Sequence, residues 1–194
     1  MRVAVLVSGG GTNLQALLDA LHDSPLARIT RVISNRRDAG ALARARRAGL
    51  PVTVLGDPAD ADEILAALSG VDLVVLAGYL KLIPAAVVAR FRWRMINIHP
   101  ALLPAFGGPG MYGRRVHEAV LASGARESGT SVHYVDEAFD RGPVIAQARV
   151  PVLAGDTPES LAERVLDAEH ELLPRVVREL ARRGLPDHPV RVES

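Results

Sequence analysis

Asn97 and His99 stand two residues apart in the run MINIHPALLP, at the end of an apolar segment that Pro100 closes. Side chains at i and i+2 share one face of a strand. A strand over Met95 to Ile98 therefore brings an amide and an imidazole out together where it ends. The amide donates hydrogen bonds without losing its proton, and the imidazole titrates near neutrality. Such a pair suits chemistry on a carbonyl, although the same two side chains also serve as strand-end or turn caps. Asp140, in DRGPVI, adds a carboxylate that can orient His99, raise its basicity or accept a proton. An Asp so close to a glycine is equally an ordinary turn residue.

A second candidate is Ser8-Gly9-Gly10-Gly11-Thr12-Asn13, between an apolar run and a helical pattern. A turn of this kind offers backbone N–H groups at a helix N-terminus, which favours an anion. No Gly-Lys-Ser/Thr follows, so it is not a Walker loop. Leu14 stands where a dinucleotide fingerprint needs its third glycine, and Ser34 and Asn35 stand where that fold needs an acid. A single phosphate on a small substrate fits, and so does a plain tight turn capped by Thr12 or Asn13.

The other histidines offer less. His133 sits inside an alternating strand pattern, as structural rings do. His117-Glu118 does not continue into a zinc-protease motif, because Leu121 occupies the second histidine's place, and His170 lacks further ligands. No metal site is expected. With no cysteine and no Gly-x-Ser-x-Gly elbow, covalent catalysis lacks an obvious nucleophile. Direct attack of one substrate on another, positioned and assisted electrostatically, is what the residues allow.

The elements that must hold these groups alternate. Strands are expected over Arg2 to Val7, Ile29 to Ser34, Val52 to Leu55, Asp72 to Ala77 and Met95 to Ile98. Between them, helices are expected over Asn13 to His22, Ala39 to Ala48, Ala61 to Leu68 and from Pro84 onward. This rhythm predicts an α/β fold with a doubly wound, mostly parallel sheet and a ligand crevice at the strands' carboxyl ends. The glycine-rich run 105–113 reads as a mobile loop or lid, and a helix follows from Arg114 to about Ala122. Thr130 to Val135 and Val144 to Val150 alternate polar and apolar residues, which predicts an antiparallel pair extending the sheet. Thr157 to Arg183 reads as a long amphipathic helix with a capped, acidic start, ending at Gly184.

Composition bounds the rest. The 194 residues suit one domain spanning 1–194, and 48% hydrophobic against 23% charged residues is ordinary for a globular chain. A net charge of +1, with basic residues scattered among acids, argues against a nucleic-acid partner. Of the 23 basic residues 22 are arginines, so Lys81 is the only lysine. The first apolar run is too short for a signal peptide and no stretch reaches the length of a membrane span. A cytoplasmic protein without a membrane partner is expected.

Four segments in order, SGGGTNLQ, LAGYLKLI, NIHPALLP and GTSVHYVDEAFDRGPVI, make the chain resemble the glycinamide ribonucleotide formyltransferases, the folate-dependent enzymes of purine synthesis. The resemblance runs from the first residue to at least His170. It implies a Rossmann-like formyltransferase fold, with 10-formyltetrahydrofolate as formyl donor, glycinamide ribonucleotide as acceptor, and no metal. Residue by residue, it implies that Asn97, His99 and Asp140 form the catalytic trio. It puts the substrate phosphate on Gly10, Gly11, Thr12 and Asn13, and the ribose end near Glu169. Leu80, Lys81 and Leu82, with Ala138 and Phe139, correspond to the folate pocket, and His117 to a loop histidine. The chain departs from this pattern where no Arg lies between Leu55 and Asp72 and where Leu166 replaces a phosphate-contacting Lys of some relatives. Arg114 or Arg115 is a candidate for the missing charge. The related transfer-RNA formyltransferase and formyl-folate hydrolase carry additional domains and are disfavoured by this length. A dinucleotide-dependent redox module and a non-catalytic binding protein are the readings from other classes. The fold is compatible with a monomer or a homodimer.

Overall fold

Both faces of the first strand, β1 (Arg2–Val7), are covered, and that burial organises the molecule. The structure is a computed structural model and describes residues 1–192. After β1 come α1 (Thr12–Leu21), β2 (Arg28–Ser34), α2 (Gly40–Arg47), β3 (Val52–Val54), α3 (Ala61–Ala67), β4 (Leu73–Leu76), α4 (Ala85–Arg90) and β5 (Met95–His99). Then follow α5 (Arg114–Ala122), β6 (Glu127–Tyr134), β7 (Val144–Pro151) and α6 (Pro158–Arg183). Val3, Val5 and Val7 pack with Leu14 and Leu17 of α1, Ala41 and Leu42 of α2, and Leu173 and Val176 of α6. Ala4 and Leu6 face the other way, against Ile64 of α3 and Val87 of α4. A strand with two buried faces needs apolar residues at both parities, which is why β1 and β4 read as unbroken hydrophobic runs.

Among the described residues the strands form one seven-stranded sheet in the order β3-β2-β1-β4-β5-β6-β7. β1 to β5 are parallel, while β6 pairs antiparallel with β5 and with β7. This is the doubly wound sheet with an antiparallel pair at one edge that the sequence predicts. β6 begins three residues before the predicted Thr130. Glu127, Ser128 and Gly129 pair with Pro151, Val150 and Arg149. Ser and Gly are poor strand formers on their own, but the β7 ladder satisfies their backbone. A side chain on Gly129 would also collide with the Ala148 carbonyl and Leu102.

Helix ends follow local chemistry. Asp60 caps α3 by accepting from the N–H groups of Asp62 and Glu63, and Thr157 with Ser160 forms a reciprocal capping box on α6. α6 runs on through a buried Pro174. An interior proline costs a helix one hydrogen bond. Here Leu172, Leu173, Val176, Val177 and Leu180 bury both halves against the sheet and outweigh it. No helix of the described residues is long and apolar enough to cross a membrane.

Candidate active site

The carboxyl ends of the central strands are tied together by Ser8. Its N–H donates to the Gly78 carbonyl at 3.0 Å. Its hydroxyl donates to Asn35 Oδ1 at 2.6 Å and accepts from the Leu80 N–H at 2.9 Å. Three strand ends are thereby fixed around one crevice, with the Gly9–Gly11 turn on one side and the Gly78–Leu82 segment on the other. Gly11 adopts a left-handed conformation (φ 78°) at the start of α1, and a Cβ there would come within 2.5 Å of Ala41 Cβ. Glycine is required by both conformation and space.

Asn97 and His99 project from β5 into the same crevice, and the chain returns to bring Asp140 against them. Asp140 Oδ2 lies 3.5 Å from His99 Nδ1 and accepts from the Gly108 N–H at 3.0 Å. Asn97 Nδ2 lies 3.4 Å from Asp140 Oδ1. The trio named from sequence is therefore assembled, on a backbone where Asp140 itself has positive φ (56°). Holding a non-glycine residue in this region costs energy, and such strain concentrates at functional sites.

His133, a structural ring by its sequence context, lies beside this group. It is the cross-strand partner of Asn97 in the β5–β6 ladder. Its Nε2 sits 3.0 Å from Asn97 Nδ2 and 3.5 Å from Asp140 Oδ1, while Nδ1 faces the Tyr134 carbonyl at 2.9 Å. A proton on Nδ1 meets that carbonyl, and Nε2 faces both the Asn97 amide and the Asp140 carboxylate. Asn97 Nδ2 thus lies between His133 Nε2 and Asp140 Oδ1, with its side chain lining the crevice. Only the antiparallel register reveals this. No motif could have found it, nor the backbone partners Phe106 and Gly108.

Electrostatically, His99 is pulled two ways. Burial pushes its pKa down, whereas Asp140 and the Phe106 carbonyl, which accepts from Nε2 at 2.8 Å, push it up. Burial prevails, and the ring titrates below its ordinary value. Burial also works to raise the Asp140 carboxyl, but hydrogen bonding with His133, the charge of His99 and the Gly108 N–H together hold it below the usual carboxylate range. The result is a mostly neutral imidazole beside an ionised carboxylate, ready to gain a proton.

The crevice has a volume of about 270 Å3. Its lining includes Leu80, Lys81 and Leu82 on one wall, Ala138 and Phe139 on another, and Asn13 with Glu169 at the far end. Leu80 and Leu82 are 47% and 46% exposed, apolar side chains left uncovered in a crevice wall. Glu169 is buried, and Asn13 Nδ2 donates to its Oε2 at 2.6 Å. Burial pushes its carboxyl up to about 7 against the opposing effect of that bond. The glycine-rich run contributes Gly108, Gly110, Met111, Tyr112 and Gly113 to the same lining.

His117 lies on α5 rather than in the loop. It is buried, its Nδ1 has no partner, and it lines a side pocket with Leu166 and Glu169. Arg114 is engaged by Glu118 and Glu159, so its charge is already compensated, and Arg115 stacks over Tyr112. Among the described residues no cluster could hold a metal ion.

A model of the formyl transferase family matches residues 1–177. The chain belongs to this formyl transferase family. Among similar proteins, the chloroplastic phosphoribosylglycinamide formyltransferase of Arabidopsis thaliana is 47% identical over 91% of this chain and 64% of its own length. The chain thus spans less than two thirds of that relative, and 60% of the similar one from Vigna unguiculata. The phosphoribosylglycinamide formyltransferase of Escherichia coli (strain K12) is 40% identical over 91% of this chain and 85% of its own. The crystal structure of glycinamide ribonucleotide transformylase 1 from Symbiobacterium toebii superposes with a TM-score of 0.89. It shares 41% identity and covers 100% of this chain and 94% of that one. The superposed chain includes the antiparallel strand β6, which carries His133.

Proposed function

We propose that this formyl transferase moves the formyl group of 10-formyltetrahydrofolate to the amine of glycinamide ribonucleotide in de novo purine synthesis. The observation that carries this reading is the convergence of Asn97, His99 and Asp140 at 3.4–3.5 Å inside one crevice that also has an apolar wall and reaches Asn13, at the end of the glycine turn. The phosphate sits at Gly10, Gly11, Thr12 and Asn13, the ribose end at Glu169, and the folate between Leu80–Leu82 and Ala138–Phe139.

The substrate amine attacks the formyl carbon directly, forming a C–N bond and a tetrahedral oxyanion. An Asn97 N–H turns from Asp140 Oδ1, the longer of its two contacts at 3.4 Å, to donate to that oxygen. His99, neutral beforehand, takes up the proton lost by the amine and becomes an imidazolium whose charge faces the oxyanion and is balanced by Asp140. The proton then passes to the departing folate nitrogen as its bond to the formyl carbon breaks, giving formylglycinamide ribonucleotide and tetrahydrofolate. No enzyme side chain bonds to the formyl group, in keeping with a chain that has no cysteine.

Incubating the pure protein with both substrates tests this. Formylated nucleotide and tetrahydrofolate in equal amounts support it, and no formylated product with folate intact overturns it. Enzyme incubated with formyl-folate alone should show an unmodified mass.

A further inference from the structure

The turn proposed to receive the phosphate is held from behind by α2. The Ala41 N–H donates to the Gly9 carbonyl at 3.0 Å, and Arg44 Nε donates to the Gly10 carbonyl at 2.9 Å. Both peptides are trans, since the only cis bond of the described residues is Leu103–Pro104. In a trans peptide the N–H points opposite to its own carbonyl. Tying two consecutive carbonyls to α2 therefore turns the N–H groups of Gly10 and Gly11 together toward the other side. Neither has an acceptor among the described residues. Successive N–H groups converging in this way form an anion-binding concavity.

Arg44 also brings charge. Among the described residues its hydrogen-bond partners are the Gly10 carbonyl and Gln15 Oε1, the latter at 3.3 Å, and no carboxylate pairs with it. The arginines at 2, 36, 114, 149, 164, 182 and 183 are, by contrast, each neutralised by an acid. On α6, where some relatives are expected to place a phosphate-contacting Lys, Leu166 faces the side pocket.

We infer that Arg44 is a positioning residue for the substrate's phosphate. It holds the Gly10 peptide so that the Gly10 and Gly11 N–H groups face the anion, and it supplies an uncompensated positive charge behind them. This rests on the reading that a phosphorylated substrate binds at the turn. Arg44→Gln removes the charge. Arg44→Lys keeps it but loses the planar Nε–H, and falls between Arg44→Gln and the unaltered protein.

Two measurements test the inference. In steady-state kinetics, Arg44→Gln should raise KM for glycinamide ribonucleotide about tenfold or more, as loss of a charge-assisted contact does. kcat and KM for formyl-folate should hold, and with phosphate-free glycinamide ribonucleoside the two enzymes should be equal. Separately, inorganic phosphate should shift the Gly10 and Gly11 amide resonances, with affinity about tenfold weaker in Arg44→Gln. Equal losses with and without the substrate phosphate, or an unchanged phosphate titration, overturn the role of Arg44. An unaltered protein with no formyl transfer overturns the proposed reaction instead, and the phosphate titration then decides Arg44 by itself.

Discussion

His99 meets acceptors at both ring nitrogens, Asp140 on Nδ1 and the Phe106 carbonyl on Nε2. The imidazolium satisfies both, while the neutral ring favoured by burial points a lone pair at the carboxylate. Gaining a proton is therefore eased by geometry and opposed by burial, which suits a group that is charged only during turnover. His99→Ala and Asp140→Ala should each lose most of kcat with unchanged circular dichroism. Asn97→Ala should lower kcat by roughly 100- to 1000-fold, the usual effect of removing one oxyanion donor. Near-normal rates would remove these residues from the mechanism. Because the His99 pKa is lowered and the neutral ring is needed, kcat/KM should fall as pH drops through a value below 6.5. A limb centred at 6.5 or above would contradict that assignment. Glu169 works in the opposite sense for stability. Its folded pKa of about 7 lies above the ordinary 4.5, so the folded state binds more protons between those values and loses stability as pH rises through them. The loss reaches about 3 kcal/mol if the whole shift is realised. Glu169→Gln should flatten that decline in denaturant titrations between pH 4.5 and 8.

At the scale of elements, the β6–β7 pair carries the most information. β6 sets His133 opposite Asn97, and the β6–β7 connection returns Asp140 to the site. A Cβ on Gly142 would overlap the Tyr134 carbonyl, so the connection leaves no room to shift. Gly142→Ala should destabilise the fold by about 1–3 kcal/mol, as overpacking does, and displace Asp140. An unchanged denaturation midpoint with full activity would show the connection to be adaptable. The parallel strands and their helices were legible because each has a periodic signal of its own. β6 was only partly so, since Ser128 and Gly129 become strand through pairing and not through propensity. The line of α6 through Pro174 was legible for a related reason: its apolar face continues in step on both sides of the ring.

For the molecule as a whole, the site joins loops from β1, β4 and β5 to the middle of α6, through Asn13 and Glu169. Ligands that bridge these parts should stabilise the folded state by mass action, about 2.7 kcal/mol at a hundredfold excess over Kd. Asn97→Ala should keep most of the rise in melting temperature given by glycinamide ribonucleotide while losing turnover. If that rise vanishes, Asn97 holds the substrate rather than stabilising the transition state.

The sequence by itself determined the alternating strand–helix order and the crevice at the strand ends, and it named Asn97, His99 and Asp140, which the fold brings together there. Hydrophobic period, turn glycines and a resemblance carried by short motifs are all local properties. Tertiary structure alone decided the rest: His133 beside the Asn97 amide, Phe106 and Gly108 contacting the trio through backbone atoms, Arg114 meeting Glu159 of another helix, and Arg44 bonded to the Gly10 carbonyl. Each depends on strand register, on main-chain groups that every residue shares, or on side chains of separate elements meeting. Local sequence does not encode where such groups meet, because that is settled when separate elements pack together.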